Sequence, residues 1–215
     1  MEGDIVDLIT YALAKKLTEF PVTNSIKNGD FSQGTQNWVP MYGTLSAENN
    51  IATYTVTQKY ASARIEQSVV PKEAHEYYVR GEIKPKHATE CAISFGGSLN
   101  MVARETVPIV DMWNVLSGKG VFTSEHFLRF YHSTAFSQHE IGDQFQFRNI
   151  LLMDITEAFG AGNEPTKEEI DELLSYFPES WFDGKQNLPG KWVMTYLLNQ
   201  VRDIKTAVVG LGGTV

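Results

Sequence analysis

Five histidines, a single cysteine and a scatter of carboxylates are the side chains of this sequence that could carry covalent or acid–base chemistry. His75, His87, His126, His132 and His139 are scattered, and the "HEIGD" that begins at His139 lacks the second histidine of a zinc metalloprotease helix. Cys91 stands among Ala92, Ile93 and Phe95, a strand-like setting for a buried, inert thiol, and a lone cysteine makes neither an intrachain disulfide nor a Cys-based zinc site. No Gly-x-Ser-x-Gly elbow occurs. Gly160 and Gly162 in "FGAGNEP" suit positive φ, but no Lys-Ser/Thr follows, so the run reads as a structural turn and not as a phosphate loop. Asp4/Asp7 and Glu168/Glu169/Asp171 fall on helical segments as solvated faces. Nothing here converges as an enzyme requires, although the two opposed carboxylates of a glycosidase would leave no mark in spacing and stay open at this level.

The 215 residues, 42% hydrophobic and 12% aromatic, suffice for one β-domain with a real core plus some helix. A net charge of -8 and a pI near 5.1 argue against nucleic acid or an anionic membrane as partner, because both demand clustered Lys and Arg. The start, "MEGDIVDLITYALAKKL", is acidic and lacks the apolar region and cleavage site of a signal peptide. The longest apolar run, Ile150 to Met153, is far short of the roughly 20 residues that span a bilayer.

The elements that would position any site change period twice along the chain. Residues 1–21 predict a helix: Ile5, Leu8, Ile9, Ala12 and Leu13 recur at helical spacing, acids precede bases along it, and Pro21 closes it. From about Ser25 to Ile155 the period is two. In "EYYVRGEIKP" one face holds Tyr77, Val79, Gly81 and Ile83 and the other Glu76, Tyr78, Arg80, Glu82 and Lys84, which predicts a half-buried strand. Similar runs at "NIATYTVTQ", "ARIEQSVVP", "ECAISFGG", "HFLRFYHS" and "QFQFRNILLMDI" are separated by turn-formers, while "DMWNVLSGKG" reads as a polar loop. Six or more short antiparallel strands without helical crossovers predict a mainly β protein, a sandwich or jelly roll. Thr166 and Glu169 then form a capping box for a helix over 166–177, with Ile170, Leu173, Leu174 and Phe177 as its stripe and Pro178 as its end. Beyond Pro189-Gly190, Met194, Leu197, Val201, Ile204 and Val208 follow a/d spacing over about two heptads, which a coiled coil and a docked amphipathic helix satisfy equally.

Two stretches carry a resemblance. "IKNGDFSQGTQNW", with Asn28, Gly29, Asp30, Phe31 and Trp38, resembles the first strand and turn of jelly-roll domains of the carbohydrate-binding-module kind. "ILLMDITEAFGAGNEPTKEEIDELLSYFPESWF", residues 150–182, is similar to a segment that closes such domains in phage tail and other virion structural proteins of Gram-positive hosts, and "LITYALAKKL" resembles the opening of many phage structural proteins. The two longer stretches bracket roughly residues 24–183, and the strands between them match only in pattern.

The resemblance implies three parts: an attachment or oligomerisation helix over 1–21, a jelly roll over 22–183, and an amphipathic or coiled-coil helix with a flexible tail over 184–215. It implies a non-enzymatic virion structural protein, a head, collar or tail fibre or a decoration subunit that displays the jelly roll for host-surface adsorption, made in the host cytoplasm and released in the particle. Its expected partners are its own copies, as a homotrimer, and other virion proteins. The alternative it implies is a glycan-binding module for cell-wall or surface polysaccharide. Such modules lay aromatic rings against sugars, and Trp38, Tyr42, Trp113 and Tyr131 are the candidates here, with interior packing the competing role for Trp38 and Trp113 the best placed for the surface. Related domains often carry a structural calcium near the first and last strands, for which Asp30 and Asp154 would be the oxygen donors; no other cofactor is implied.

Overall fold

The computed structural model describes residues 21–60, 63–86, 90–96, 100–106, 108–122, 126–131, 140–190, 192, 193, 196 and 210. The predicted N-terminal helix and Met194, Leu197, Val201, Ile204 and Val208 lie outside the described residues.

The chain divides into two compact units, Thr23–Lys185 and, from the two ends, residues 1–22 with 186–215. In the second, Trp192, Val193 and Tyr196 are buried, and the Trp192 and Tyr196 rings stack 5.1 Å apart. β1 (Pro21–Thr23) and β12 (Lys185–Asn187) pair as a separate two-stranded sheet.

Thr23–Lys185 is the jelly-roll β-sandwich that the period of two implies, built from two antiparallel five-stranded sheets. Sheet one is ordered β2 (Val39–Met41), β5 (Arg64–Ser68), β10 (Phe127–Tyr131), β7 (Cys91–Phe95), β8 (Met101–Glu105). Sheet two is ordered β3 (Gly43–Glu48), β4 (Ile51–Val56), β11 (Gln144–Asp154), β6 (Glu76–Pro85), β9 (Asn114–Val121). Alternate residues of each sheet meet in one core, with Tyr54, Ile65, Ile83, Ile93, Phe130, Phe145 and Phe147 fully buried. At about 25 cal/mol per Å² of apolar surface, such aromatic-rich burial is the dominant favourable contribution.

In β6, Tyr77, Val79, Gly81 and Ile83 face this core as expected, but Tyr78, Arg80 and Glu82 on the other face are buried too, so the strand is not half-buried. Tyr78 is covered by α2 (Lys167–Leu174), whereas Glu82 is bonded to Arg80, Arg148 and Asn149. The capping box of Thr166 and Glu169 is present, and Ile170, Leu173 and Leu174 of α2 are buried. Tyr78 donates to Asp171, and burial together with that carboxylate pushes the phenol far above its ordinary range. The turn "GAGNEP" leads into α2 from α1 (Ile155–Phe159), a short helix that the apolar pattern did not announce; Gly160 and Gly162 hold positive φ.

"DMWNVLSGKG" is a second correction. From Asn114 it is strand β9, paired with β6 along its length. Its glycines hide the strand from propensity, yet a Cβ on Gly118 would stand 1.9 Å from the Val102 carbonyl oxygen of β8, so close backbone approach requires glycine there.

The two stretches that carry the resemblance converge on one irregularity. β11 bulges between Arg148 and Leu151, with Asn149 at φ 53. Ile150 N donates to Gly29 O at 2.9 Å, and the Ile150 carbonyl accepts from Asn24 Nδ2 at 3.3 Å and from Trp181 Nε1 at 2.9 Å. A Cβ on Gly29 would lie 2.1 Å from that same oxygen.

Candidate functional site

The loop from Asn28 to Trp38 is built around its own polar groups. Asn28 Nδ2 donates to the carbonyls of Gly34 and Gln36 at 3.0 Å each, and its Oδ1 accepts from Gln33 N at 2.9 Å. Trp38 Nε1 donates to the Asn28 carbonyl at 3.0 Å while its ring packs on Phe31 and edge-on to Phe130. Trp38, only 5% exposed, is therefore a core ring and not a sugar platform.

The other aromatic candidates separate in the same way. Tyr131 is 1% exposed with the Arg64 guanidinium 5.8 Å from its ring, so it too is closed to a ligand. Tyr42 is half-buried and stacked on Tyr60 at 4.1 Å. Trp113 is half-buried rather than standing out on a loop, and Arg148 lies 4.3 Å over its ring. The structure does not bring these four together.

The metal candidates have structural duties. Asp30 Oδ1 accepts from Ser32 N and Ser32 Oγ, closing a tight turn. Asp154 caps α1 by accepting from Glu157 N at 2.8 Å, and both its oxygens lie 2.9 Å from His75 Nδ1. Among the described residues no group of three or more His, Cys, Asp and Glu side chains is placed to hold a metal ion.

What the fold does build is a groove of about 490 Å³ at one end of the sandwich, where β5 and β10 of sheet one meet β6 and β11 of sheet two, lined among others by Val39, Glu66, Ser68, Val70, Phe127, Tyr77, Lys72 and Asp154. Strand alternation explains its sheet-one wall. Ile65 and Phe130 turn into the core, so their neighbours Glu66, Ser68, Phe127, Arg129 and Tyr131 emerge on the outer face, and β2 adds Val39 opposite Glu66. Glu66 is the centre of an ion lattice: its Oε2 accepts from Arg64 Nε at 2.8 Å and from Arg129 Nε at 2.9 Å. Arg129 also lies 5.3 Å from the Phe127 ring and donates to the Gly96 carbonyl. Side chains that are 10–11% exposed are held here by mutual charge pairing and stacking, the arrangement that lets buried charges persist.

The far wall of the groove is polar and equally constrained. Tyr77 accepts from Lys72 N at 2.8 Å, and burial first, then the Asp154 and Glu157 charges, outweigh that bond and push its phenol up to about 12. Lys72 pairs with Glu157 at 2.6 Å and reaches Asp154 at 3.9 Å. The groove thus sets Val39, 52% exposed, Val70, 94% exposed, and the half-buried Phe127 ring against charges that are bonded to one another, two guanidiniums on Glu66 and the Lys72 ammonium between Glu157 and Asp154. A concave surface with an apolar strip and a few fixed polar groups suits a small uncharged or polyhydroxylated ligand better than a charged one.

Sequence reasoning missed this surface. The signal was nonetheless in "HFLRFYHS": the alternation that places Tyr131 on the outer face places Phe127 and Arg129 there too.

No family model matches the chain, and no curated protein matches it in sequence. Among solved structures it is similar to a protein described as "CBM4 structure and function", at 11% identity, 60% of this chain, 98% of that one and a TM-score of 0.46. A variant of the family 29 carbohydrate-binding module CBM29-2 matches at 11% identity, 73% and 97% coverage and a TM-score of 0.44. The enzymatically active domain of tailspike protein 4 of bacteriophage CBA120 matches at 18% identity over 60% of this chain but 21% of its own, with a TM-score of 0.43.

Proposed function

We propose that this protein is a non-catalytic glycan-binding module, with the groove beside Glu66 and Phe127 as its binding surface. The observation that carries the reading is the joining of an exposed aliphatic and aromatic strip to a rigid set of paired charges, since sugars present both apolar C–H faces and hydroxyls. The carboxylates of the groove are committed elsewhere, Glu66 to two guanidiniums and Asp154 to a helix cap and His75, which favours binding over hydrolysis. In this proposal the module is displayed on a phage particle, as the resemblance of residues 150–182 implies. Met194, Leu197, Val201, Ile204 and Val208 hold three copies together, other virion proteins hold the base, and the groove faces host-wall polysaccharide.

The test is calorimetric titration with β-1,4-linked gluco-, manno- and xylo-hexaoses and a solubilised Gram-positive cell-wall polysaccharide. The expected result is saturable binding to at least one, weakened about tenfold or more by Phe127→Ala, which corresponds to about 1.4 kcal/mol. Binding that Phe127→Ala leaves unchanged would remove the groove from the proposal.

A further inference from the structure

The edge of a β-sheet is a row of backbone N–H and C=O groups open to another strand unless something blunts it. Sheet one ends in β2 and β8, and sheet two in β3 and β9. Three of these edges are guarded. β2 is three residues long and carries Pro40, which has no N–H to give. β8 breaks register with β7 beside Val102 and ends in the charged Arg104 and Glu105. β9 lies so near β8 that a Cβ on Gly118 would meet the Val102 carbonyl oxygen, and the two edges cover each other there. β3 has none of these devices. Its six residues pair with β4 without a break, contain no Pro, Lys or Arg, and end in one charge, Glu48. Among the described residues no strand pairs with its other side.

Strand alternation fixes which of its backbone groups are open. Successive residues of an antiparallel strand bond to the neighbour on one side and then to the other. Val56 of β4 donates to the Asp143 carbonyl at 2.9 Å and accepts from Gly142 N at 2.9 Å. It is therefore bonded toward the chain entering β11 and not toward Gly43, which stands opposite it in β3. The Tyr42 carbonyl, one residue earlier, does turn inward and accepts from Thr57 N at 3.1 Å. Carried along the strand, this alternation bonds Thr44, Ser46 and Glu48 to β4 and aims the N–H and C=O groups of Gly43, Leu45 and Ala47 out of the sheet. The side chains follow suit: Leu45 and Ala47 lean on the core, and Thr44, Ser46 and Glu48 are exposed.

We infer that β3 is an association edge for a second copy of this chain, which adds its own β3 antiparallel about a twofold axis at Leu45. The open groups select that occupant. In this register the two Leu45 residues face each other and Gly43 faces the second copy's Ala47, so every outward N–H and C=O of the strand gains a partner. Thr44 falls opposite the second copy's Ser46, a hydroxyl pair of the kind that stabilises neighbouring strands. The carboxylates do not meet. At ~3.4 Å per residue the two Glu48 side chains lie ~20 Å apart, beyond the ~8 Å reach of a charge at physiological ionic strength. A foreign peptide would have to be ordered before it could use the same groups, whereas a second β3 is already extended. The contact is isologous, so it closes with two copies and does not propagate. It uses no residue of the groove and is separate from the contact proposed for residues 194–208.

The test is sedimentation of the full chain. Two six-residue strands bury less than the ~1,200 Å² of a standard interface, so the association belongs in the micromolar range or weaker and is sought from about 5 to about 500 µM. The wild-type mass should rise toward twice its low-concentration value, whatever that value is. A Thr44→Lys, Ser46→Lys double change, at exposed positions that would set lysine against lysine across the axis, should weaken this step at least about tenfold. A wild-type mass constant over the range would overturn the inference, as would a rise that the double variant shares. Oxidative cross-linking checks the register independently of the lysine variant. Thr44→Cys mixed with Ser46→Cys should give a disulfide-linked pair in clear excess over either protein alone, and equal yields in all three samples would overturn the pairing. Hexaose affinity should be the same in the lysine variant and the wild type, so loss of this edge and loss of the groove are read separately.

Discussion

The two sheets share one core but finish their outer faces differently. Sheet one places charges there and neutralises them locally, with Glu66 between Arg64 and Arg129 and aromatic rings beside both guanidiniums. Sheet two covers part of its face with a helix, holds a second ion cluster of Glu82 with Arg80 and Arg148, and presents mainly Ser, Thr and Gln side chains on β3 and β4 and at the start of β11. The difference teaches where substitution should be costly. A face built of buried ion pairs is bound into the fold, because removing one partner strands the other. A face of half-exposed hydroxyls and amides can change with little effect on stability.

The strongest check on this contrast sets a ring inside the sandwich against a ring on its face. Trp38→Ala should cost about 3–5 kcal/mol in urea unfolding, through the cavity beside Phe31 and Phe130 and the loss of its bond to Asn28. Phe127→Ala should cost far less, and equal losses would erase the distinction. Glu66→Gln should cost about 3 kcal/mol by leaving two guanidiniums without their carboxylate. A change within 0.5 kcal/mol, the ordinary range for surface positions, would show the lattice to be ornamental.

Alkaline pH probes the buried thiol and phenols. Burial above all, and then the Glu105 and Glu90 carboxylates, push the Cys91 thiol up to about 12. A thiol that is neutral in the fold and ionised in the unfolded chain contributes stability that is complete below its unfolded value, roughly pH 8.5, and is lost as pH rises toward 12. Each pH unit in that window should remove up to about 1.4 kcal/mol, with Tyr77 adding to the slope above its own ordinary range. Cys91→Ala should flatten the decline measured by denaturant unfolding at pH 8 and 10.5; an unchanged slope would assign it elsewhere. Thr166→Ala should weaken the helix over sheet two by about 1 kcal/mol, seen as faster amide exchange in α2 while the β11 core stays protected. A Thr53→Val, Gln146→Leu double change should be smallest, within about 0.5 kcal/mol by the same urea assay.

Much of the sandwich could be read from the chain because strands with one face in a core must alternate. "NIATYTVTQ", "HFLRFYHS" and "QFQFRNILLMDI" all do so, and each is a strand. β9 was hidden because Gly118 and Gly120 answer to a neighbouring strand and not to local propensity. Glu82 looked solvent-facing because its burial depends on Arg148, 66 positions away. The site was the least legible part. Trp and Tyr attract attention as platforms, yet Trp38 and Tyr131 were taken by the core and by stacking on Arg64, and the groove fell to Phe127 and Val39. Side-chain type identifies the rings, but only strand pairing decides which of them face outward.

The most direct measurement is a ¹H–¹⁵N map of the full chain titrated with whichever hexaose or wall polysaccharide gives saturable heat. The amides of Val39, Ser68, Val70 and Phe127 should shift progressively and saturate at the calorimetric Kd. Saturating shifts that avoid those residues and gather elsewhere would contradict the assignment of the groove as the glycan site.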